Sequence, residues 1–157
     1  MSNIILGVDC GLFGALAFLD VEKGLLDIID MPIVAIERNG KKKNEVSAPM
    51  LASVLRGREV HSAIIERVGA MRGQGTSSMF SFGRSVGMVE GVLAGLMIPV
   101  DYVTPQRWQK SIGVRDGKDG SREIAARLFP AYAAMFMRKK DNGRSDAALI
   151  AYWAATQ

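Results

Sequence analysis

Residues 4 to 31 hold three apolar runs of strand length, joined by connections too short to cross a sheet. Ile4-Ile5-Leu6-Gly7-Val8-Asp9 is followed by a turn at Gly11 and a second run over 14–20. Glu22-Lys23-Gly24 then turns into a third run over 25–31. A parallel crossover needs a dozen or more residues, so strands joined this tightly are antiparallel neighbours. The chain must begin as a β-meander, which Pro32 closes.

The remainder alternates. Residues 38–44, Arg-Asn-Gly-Lys-Lys-Lys-Asn, form a polar basic loop or hairpin tip, read either as a solvated turn or as a phosphate-contacting loop. Ser47 and Pro49 mark a helix start, with Ser47 as N-cap and the helix running to about Arg58. A fourth strand spans 62–66. After the Gly- and hydroxyl-rich segment 73–78, the spacing of Phe82, Val86, Val89 and Leu93 predicts a helix over 79–96. Gly83, Gly87, Gly91 and Gly95 form a smooth stripe along it, which calls for close packing on a sheet or a partner helix.

Pro99 ends that helix, and a fifth strand covers 100–103. Thr104 caps a helix to Ile112, Ser121 caps one over 122–129, 138–145 is a charged loop, and Ser145 caps a last helix over 146–155. The order β-β-β-α-β-α-β-α-α-α describes an α/β fold: a mixed five-stranded sheet with helices on both faces. At 157 residues, one domain spanning 1–157 is expected.

Three acids border apolar segments. Asp9 and Glu66 end strands, and Asp146 opens the run Ala147-Ala148-Leu149-Ile150-Ala151. Such carboxylates are costly to bury unless paired, hydrogen-bonded or bound to a cation. Three of them suit a hard divalent ion such as Mg²⁺, which prefers oxygen ligands. The chain has one His, His61, and one Cys, Cys10, so multi-His metal sites and disulfides are excluded and a His-centred triad is disfavoured. Two cations held by carboxylates hydrolyse phosphodiesters without a nucleophilic side chain. The single thiol points to a reducing, cytoplasmic setting, and no apolar run has membrane-spanning length.

The net charge of +4 is unevenly placed. Residues 107–140 carry nine basic residues against Asp116, Asp119 and Glu123, a net +6 that leaves −2 elsewhere. Beside an acid cluster this reads as a phosphate-binding surface. The expected DNA contacts are Arg72, Lys110, Lys118, Lys139, Lys140 and Arg144.

Gly7-Val8-Asp9-Cys10-Gly11, Ala63-Ile64-Ile65-Glu66 and Ser145-Asp146-Ala147-Ala148 together resemble the RuvC-type Holliday junction resolvases, in their phage and prophage branch. These belong to the ribonuclease H-like superfamily. The resemblance extends through Gly73-Gln74-Gly75-Thr76-Ser77-Ser78 and Lys139-Lys140-Asp141-Asn142-Gly143-Arg144 and covers nearly the whole chain. It implies a homodimeric endonuclease that resolves four-way DNA junctions by paired cuts, in recombination and repair or in phage DNA processing. Asp9, Glu66 and Asp146 match the family's metal-binding acids, with Mg²⁺ as cofactor and Mn²⁺ as its substitute. The helix over 79–96 is the expected dimer surface.

The sequence departs from the family at three places. Cys10 stands where bacterial members often carry Pro, and Gly69 where they carry a junction-stacking Phe, a part left to Phe80 or Phe82. Gly143 stands where the family has a further acid, leaving Asp141 as the substitute fourth ligand. Other readings are a non-catalytic nucleic-acid binding module and an RNA-processing nuclease of the same fold. Asp9-Cys10-Gly11-Leu12-Phe13-Gly14 also matches the phosphate loop of actin-like kinases, but those need two such domains.

Overall fold

The computed structural model describes residues 3–69, 72–115 and 119–157. The meander forms as expected from β1 (Ile4–Asp9), β2 (Ala15–Asp20) and β3 (Leu25–Asp30). A hairpin follows, β4 (Ile33–Arg38) and β5 (Lys41–Val46), and then α1 (Ala48–Arg56). Strand β6 (Val60–Glu66), helix α2 (Thr76–Gly95) and strand β7 (Val100–Val103) complete the middle. Helices α3 (Pro105–Ile112), α4 (Gly120–Leu128) and α5 (Asn142–Ala155) make up the C-terminal part, with 3₁₀ turns at Pro130–Phe136 and Lys139–Asp141.

The main sheet has the order β3-β2-β1-β6-β7. β1–β2 and β2–β3 are antiparallel, whereas β1–β6 and β6–β7 are parallel. Pleating sends alternate side chains to opposite faces. Leu6, Val8, Leu16, Phe18, Ala63 and Ile65 pack on one face with Leu51 and Leu55 of α1 and Val89 and Leu93 of α2. Ala15, Ala17, Leu19 and Ile64 pack on the other, against Trp108 of α3, Ile124 of α4 and the apolar length of α5. Helices thus cover both faces of a mixed five-stranded sheet, as expected.

Helix α5 is buried along most of its length, and small residues let it lie on the sheet. A Cβ at Gly7 would come within 2.1 Å of the Ala147 carbonyl oxygen and 2.6 Å of the Ala151 nitrogen. Ser47 and Thr104 cap α1 and α3 as expected, accepting from the backbone N–H of Met50 and Arg107.

Several boundaries differ from expectation, with α2 starting at Thr76 rather than at 79, and three of the differences bear on the site. The basic segment at 38–44 is the tip of a full hairpin. Asn39 and Gly40 both have positive φ, 52° and 71°, the two-residue turn that matches strand twist. Its strands bury little besides Val46, so burial gave them no sequence signature. Helix α4 starts at Gly120 with Asp119 as N-cap, which frees Ser121 for another task. Helix α5 starts at Asn142, because the 3₁₀ turn before it runs straight into the helix. Ser145 therefore lies inside α5, fully buried, and donates its hydroxyl to the Asp141 carbonyl (3.2 Å).

Candidate active site

Asp9 and Glu66 end adjacent parallel strands, one residue past the Val8–Ile65 pair. Asp9 shares the pleat parity of Gly7, and Glu66 that of Ile64, so both lie on the α5 face. Asp146 sits in the first half of α5, one residue before the Ala147 that touches Gly7. The sheet register and the α5 contact thus bring three distant acids to one place.

Their electrostatics confirm the convergence. Burial pushes the Asp9 carboxyl well above the usual aspartate range, and the charges of Asp146 and Glu66 raise it further. Burial also raises Glu66, against a lowering hydrogen bond from Trp108, and Asp146 adds to the rise. Asp146 is raised by burial and partly relieved by the Ser121 hydroxyl. Carboxylates raised by burial, with Asp146 and Glu66 both acting on Asp9, repel when ionised, which is the condition a cation relieves. Among the described residues no three His, Cys, Asp or Glu side chains are gathered tightly enough to hold one ion together.

Asp9 and Asp146 open onto a cleft of about 690 Å³ that is also lined by Ser77, Ser78, Ser81 and Lys43. Glu66 faces a separate hollow of about 260 Å³ beside Arg67, Glu90 and Tyr102. The three acids therefore line two openings, Asp9 and Asp146 the first and Glu66 the second. Cys10, next to Asp9, is inert, because burial and the surrounding carboxylates push its thiol up to about 12.

Trp108 and Ser121 belong to the site although the sequence did not mark them. The Trp108 indole N–H donates to Glu66 Oε2 at 2.5 Å, from a fully buried ring on α3. Trp108 positions Glu66 and holds down its pKa. Trp108→Phe is expected to slow cleavage by roughly 10–100-fold, the scale for losing a partner that orients a ligand. Glu66 would rise further, so the acid limb of the pH–rate profile would move to higher pH. A slower enzyme with an unshifted limb would make Trp108 a packing residue only.

The structure does not bring Asp141 to the cleft. Its side chain is 2% exposed and accepts from the Arg138 backbone N–H (2.9 Å) and guanidinium, with Arg144 at 3.6 Å. Burial pushes its carboxyl up, but the Arg138 hydrogen bonds and the two arginine charges outweigh this and hold it below the usual range. Nor has Gly143 room for an acid, since a Cβ there would lie 2.3 Å from the Phe13 carbonyl oxygen.

Of the expected DNA contacts, Arg72, Lys110, Lys139 and Lys140 are exposed. Arg144 is committed to Asp30 through two hydrogen bonds, 2.7 and 2.9 Å. Lys118 lies outside the described residues. Phe82 lines the cleft, Phe80 is largely exposed on α2, and Phe13 is exposed on the β1–β2 turn, so none of the three belongs to the core.

Two acids thus end adjacent parallel strands, and the third lies on a helix packed across them. No protein-family model matches the sequence. The structure superposes on Thermus thermophilus RuvC in complex with a Holliday junction substrate with a TM-score of 0.62, at 12% identity over 96% of this chain and 91% of that one. A second Thermus thermophilus RuvC structure gives 0.58 at 13% identity, covering 96% and 92%. In sequence the chain is similar to the chloroplastic Holliday junction resolvase MOC1 of Chlamydomonas reinhardtii, 29% identical over 86% of this chain. The chain spans 18% of that protein's length.

Proposed function

We propose that residues 1–157 act as one nuclease domain, a divalent-cation-dependent endodeoxyribonuclease that resolves four-way DNA junctions by paired phosphodiester hydrolysis. The observation that carries this is the set of three carboxylates, Asp9, Glu66 and Asp146, each raised by burial, with Asp9 and Asp146 opening onto a hydroxyl-lined cleft. The similarity to a resolvase and to a junction-bound RuvC favours a branched DNA substrate over other phosphodiesters.

Asp9 and Asp146 would hold one Mg²⁺ and Asp9 with Glu66 a second, with Mn²⁺ able to replace either. Bound there, the pair supplies activation of the attacking water and charge stabilisation at the leaving oxygen. Trp108 fixes the Glu66 carboxylate and Ser121 the Asp146 carboxylate. Ser77, Ser78 and Ser81 offer hydroxyl donors to the phosphate on the opposite wall. Lys110, Lys139, Lys140 and Arg72 would meet flanking phosphates, whereas Arg144 serves the fold through Asp30.

Paired cuts in a two-fold junction call for two active sites, hence a homodimer. Its surface would be the outer face of α2. Gly83, Gly87, Gly91 and Gly95 pack on nothing within 4 Å, so their smoothness serves no contact inside the chain. The expected setting is the cytoplasm; no helix among the described residues is long and apolar enough to cross a membrane.

The test is cleavage of a synthetic four-way junction, a matched duplex and a structured RNA with Mg²⁺. Symmetric nicking of the junction alone is the expected result. Preferential RNA cleavage would move the reading to an RNA-processing nuclease, and binding without cleavage of any substrate would leave a non-catalytic module.

A further inference from the structure

The β4–β5 hairpin stands outside the main sheet and supplies none of the three carboxylates. Its register sorts its side chains into two faces. The pairs Ile36–Lys43, Arg38–Lys41 and Val34–Glu45 share one face, and Glu37–Lys42 lies on the other. The first face looks onto α2 across a groove of about 370 Å³, where Lys41 and Lys43 meet Ser77, Ser81 and Arg84. Arg38, Lys41, Lys43 and Arg84 line it against one carboxylate, Glu45.

Glu45 organises the guanidinium groups rather than cancelling the field, with Arg84 at 3.5 Å and Arg38 at 4.0 Å. The Lys43 ammonium reaches across to donate to the Ser77 hydroxyl (3.4 Å). Lys43, Asn44, Ser77, Ser81 and Ser85 line both this groove and the active-site cleft, so the two are continuous. Exposed Phe80 and half-buried Ile36 add an apolar strip to the groove. Cations and hydroxyls beside an apolar strip, in a channel leading from a phosphodiester-cutting site, match a sugar–phosphate backbone.

We infer that the groove between the β4–β5 hairpin and α2 carries the backbone of one DNA strand leaving the active-site cleft. Lys41 and Lys43 contact its phosphates, and Lys42 does not. The inference rests on the proposed nuclease reading for the identity of the polyanion as DNA.

The experiment measures binding of labelled four-way junction, duplex and single-stranded DNA by fluorescence anisotropy across a salt series. It uses the full chain in the non-cleaving Asp9→Asn background. Lys41→Ala/Lys43→Ala is compared with Lys42→Ala; all three lysines are exposed, so both proteins should fold, which far-UV circular dichroism checks. Two lost phosphate contacts should reduce the log–log salt slope by roughly 1.4–1.8 and weaken binding. Lys42→Ala should keep the parent slope.

An unchanged slope in the double variant, with DNA still bound, overturns the groove and leaves the nuclease reading standing. An equal loss from Lys42→Ala also overturns it, because the charge would then act without a defined path. The expected slope change with no preference for junction over duplex keeps the groove and removes the junction reading. No binding to any DNA removes both. Neutral methylphosphonates placed one at a time along the cut strand then locate the contact. One position should weaken the Lys43-containing parent but not the Lys41→Ala/Lys43→Ala protein, and its absence overturns the strand path.

Discussion

Asp9→Asn should abolish junction cleavage, by about 10³-fold or more, while the protein still binds the junction and melts at a higher temperature without metal. The loss follows because Asp9 feels the charges of both other acids and is the carboxylate that both proposed cation positions share. Removing its charge forfeits charge stabilisation worth several kcal/mol at the transition state. The gain in stability follows from the direction of the pKa shifts. Below the ordinary aspartate pKa, the folded and unfolded chains both hold the proton and nothing differs. Between that value and the raised value in the fold, the folded chain keeps a proton the unfolded chain has released. Stability therefore falls as pH climbs through that window, and the full penalty persists above it. A neutral amide of the same shape removes Asp9's part of that penalty and its repulsion of Glu66 and Asp146. In EDTA near neutral pH the variant should outmelt the wild type, and the gap should close at acid pH. Saturating Mg²⁺ should raise the wild-type melting temperature through preferential binding to the folded state and raise the variant's less. A variant that still cleaves, or that melts lower in EDTA, would remove Asp9 from the site as drawn.

The acids were legible because each breaks a rule of burial. Asp9 and Glu66 end runs that are otherwise apolar, and Asp146 opens a helix of alanines and aliphatics. The meander was legible because its short loops allow only antiparallel neighbours. What stayed hidden depends on contacts between distant residues. Trp108 and Glu66 are 42 positions apart, and nothing in the order Thr-Pro-Gln-Arg-Trp marks the indole as the partner of a carboxylate. Ser121 has the local look of a helix cap but turns its hydroxyl to Asp146. Asp141 is the only acid near the position that Gly143 fills, yet Arg138 and Arg144 hold it in a structural ion pair. Two cations of the +6 region are engaged within the fold: Arg122 donates to the Phe136 and Met137 carbonyls, and Arg138 pairs with Asp141. The basic hairpin, which the charge count over 107–140 left out, lines the cleft instead.

Gly7→Ala should leave little folded protein, with a cost of roughly 3 kcal/mol or more and no cleavage. The added methyl would meet backbone, not a flexible side chain: the Ala147 carbonyl oxygen at 2.1 Å and the Ala151 nitrogen at 2.6 Å. Relief requires α5 to lift from the sheet, and α5 carries Asp146 on its next residue before Ala147. Strand and helix would separate at the point where Asp9 and Asp146 must meet, so stability and catalysis fail together. The glycines of α2 predict the opposite. A side chain at Gly87 meets nothing within 4 Å, and replacing glycine inside an exposed helix stabilises it by ~0.5–1 kcal/mol. Gly87→Gln should therefore melt slightly higher as a chain while losing the proposed dimer contact. Sedimentation would show a folded monomer where the parent is a dimer, and paired cuts on the junction would become single nicks. A Gly87→Gln protein that remains dimeric would move the subunit contact away from α2. A soluble Gly7→Ala protein with native melting would mean that α5 can shift without cost, and the positioning of Asp146 would then need another cause.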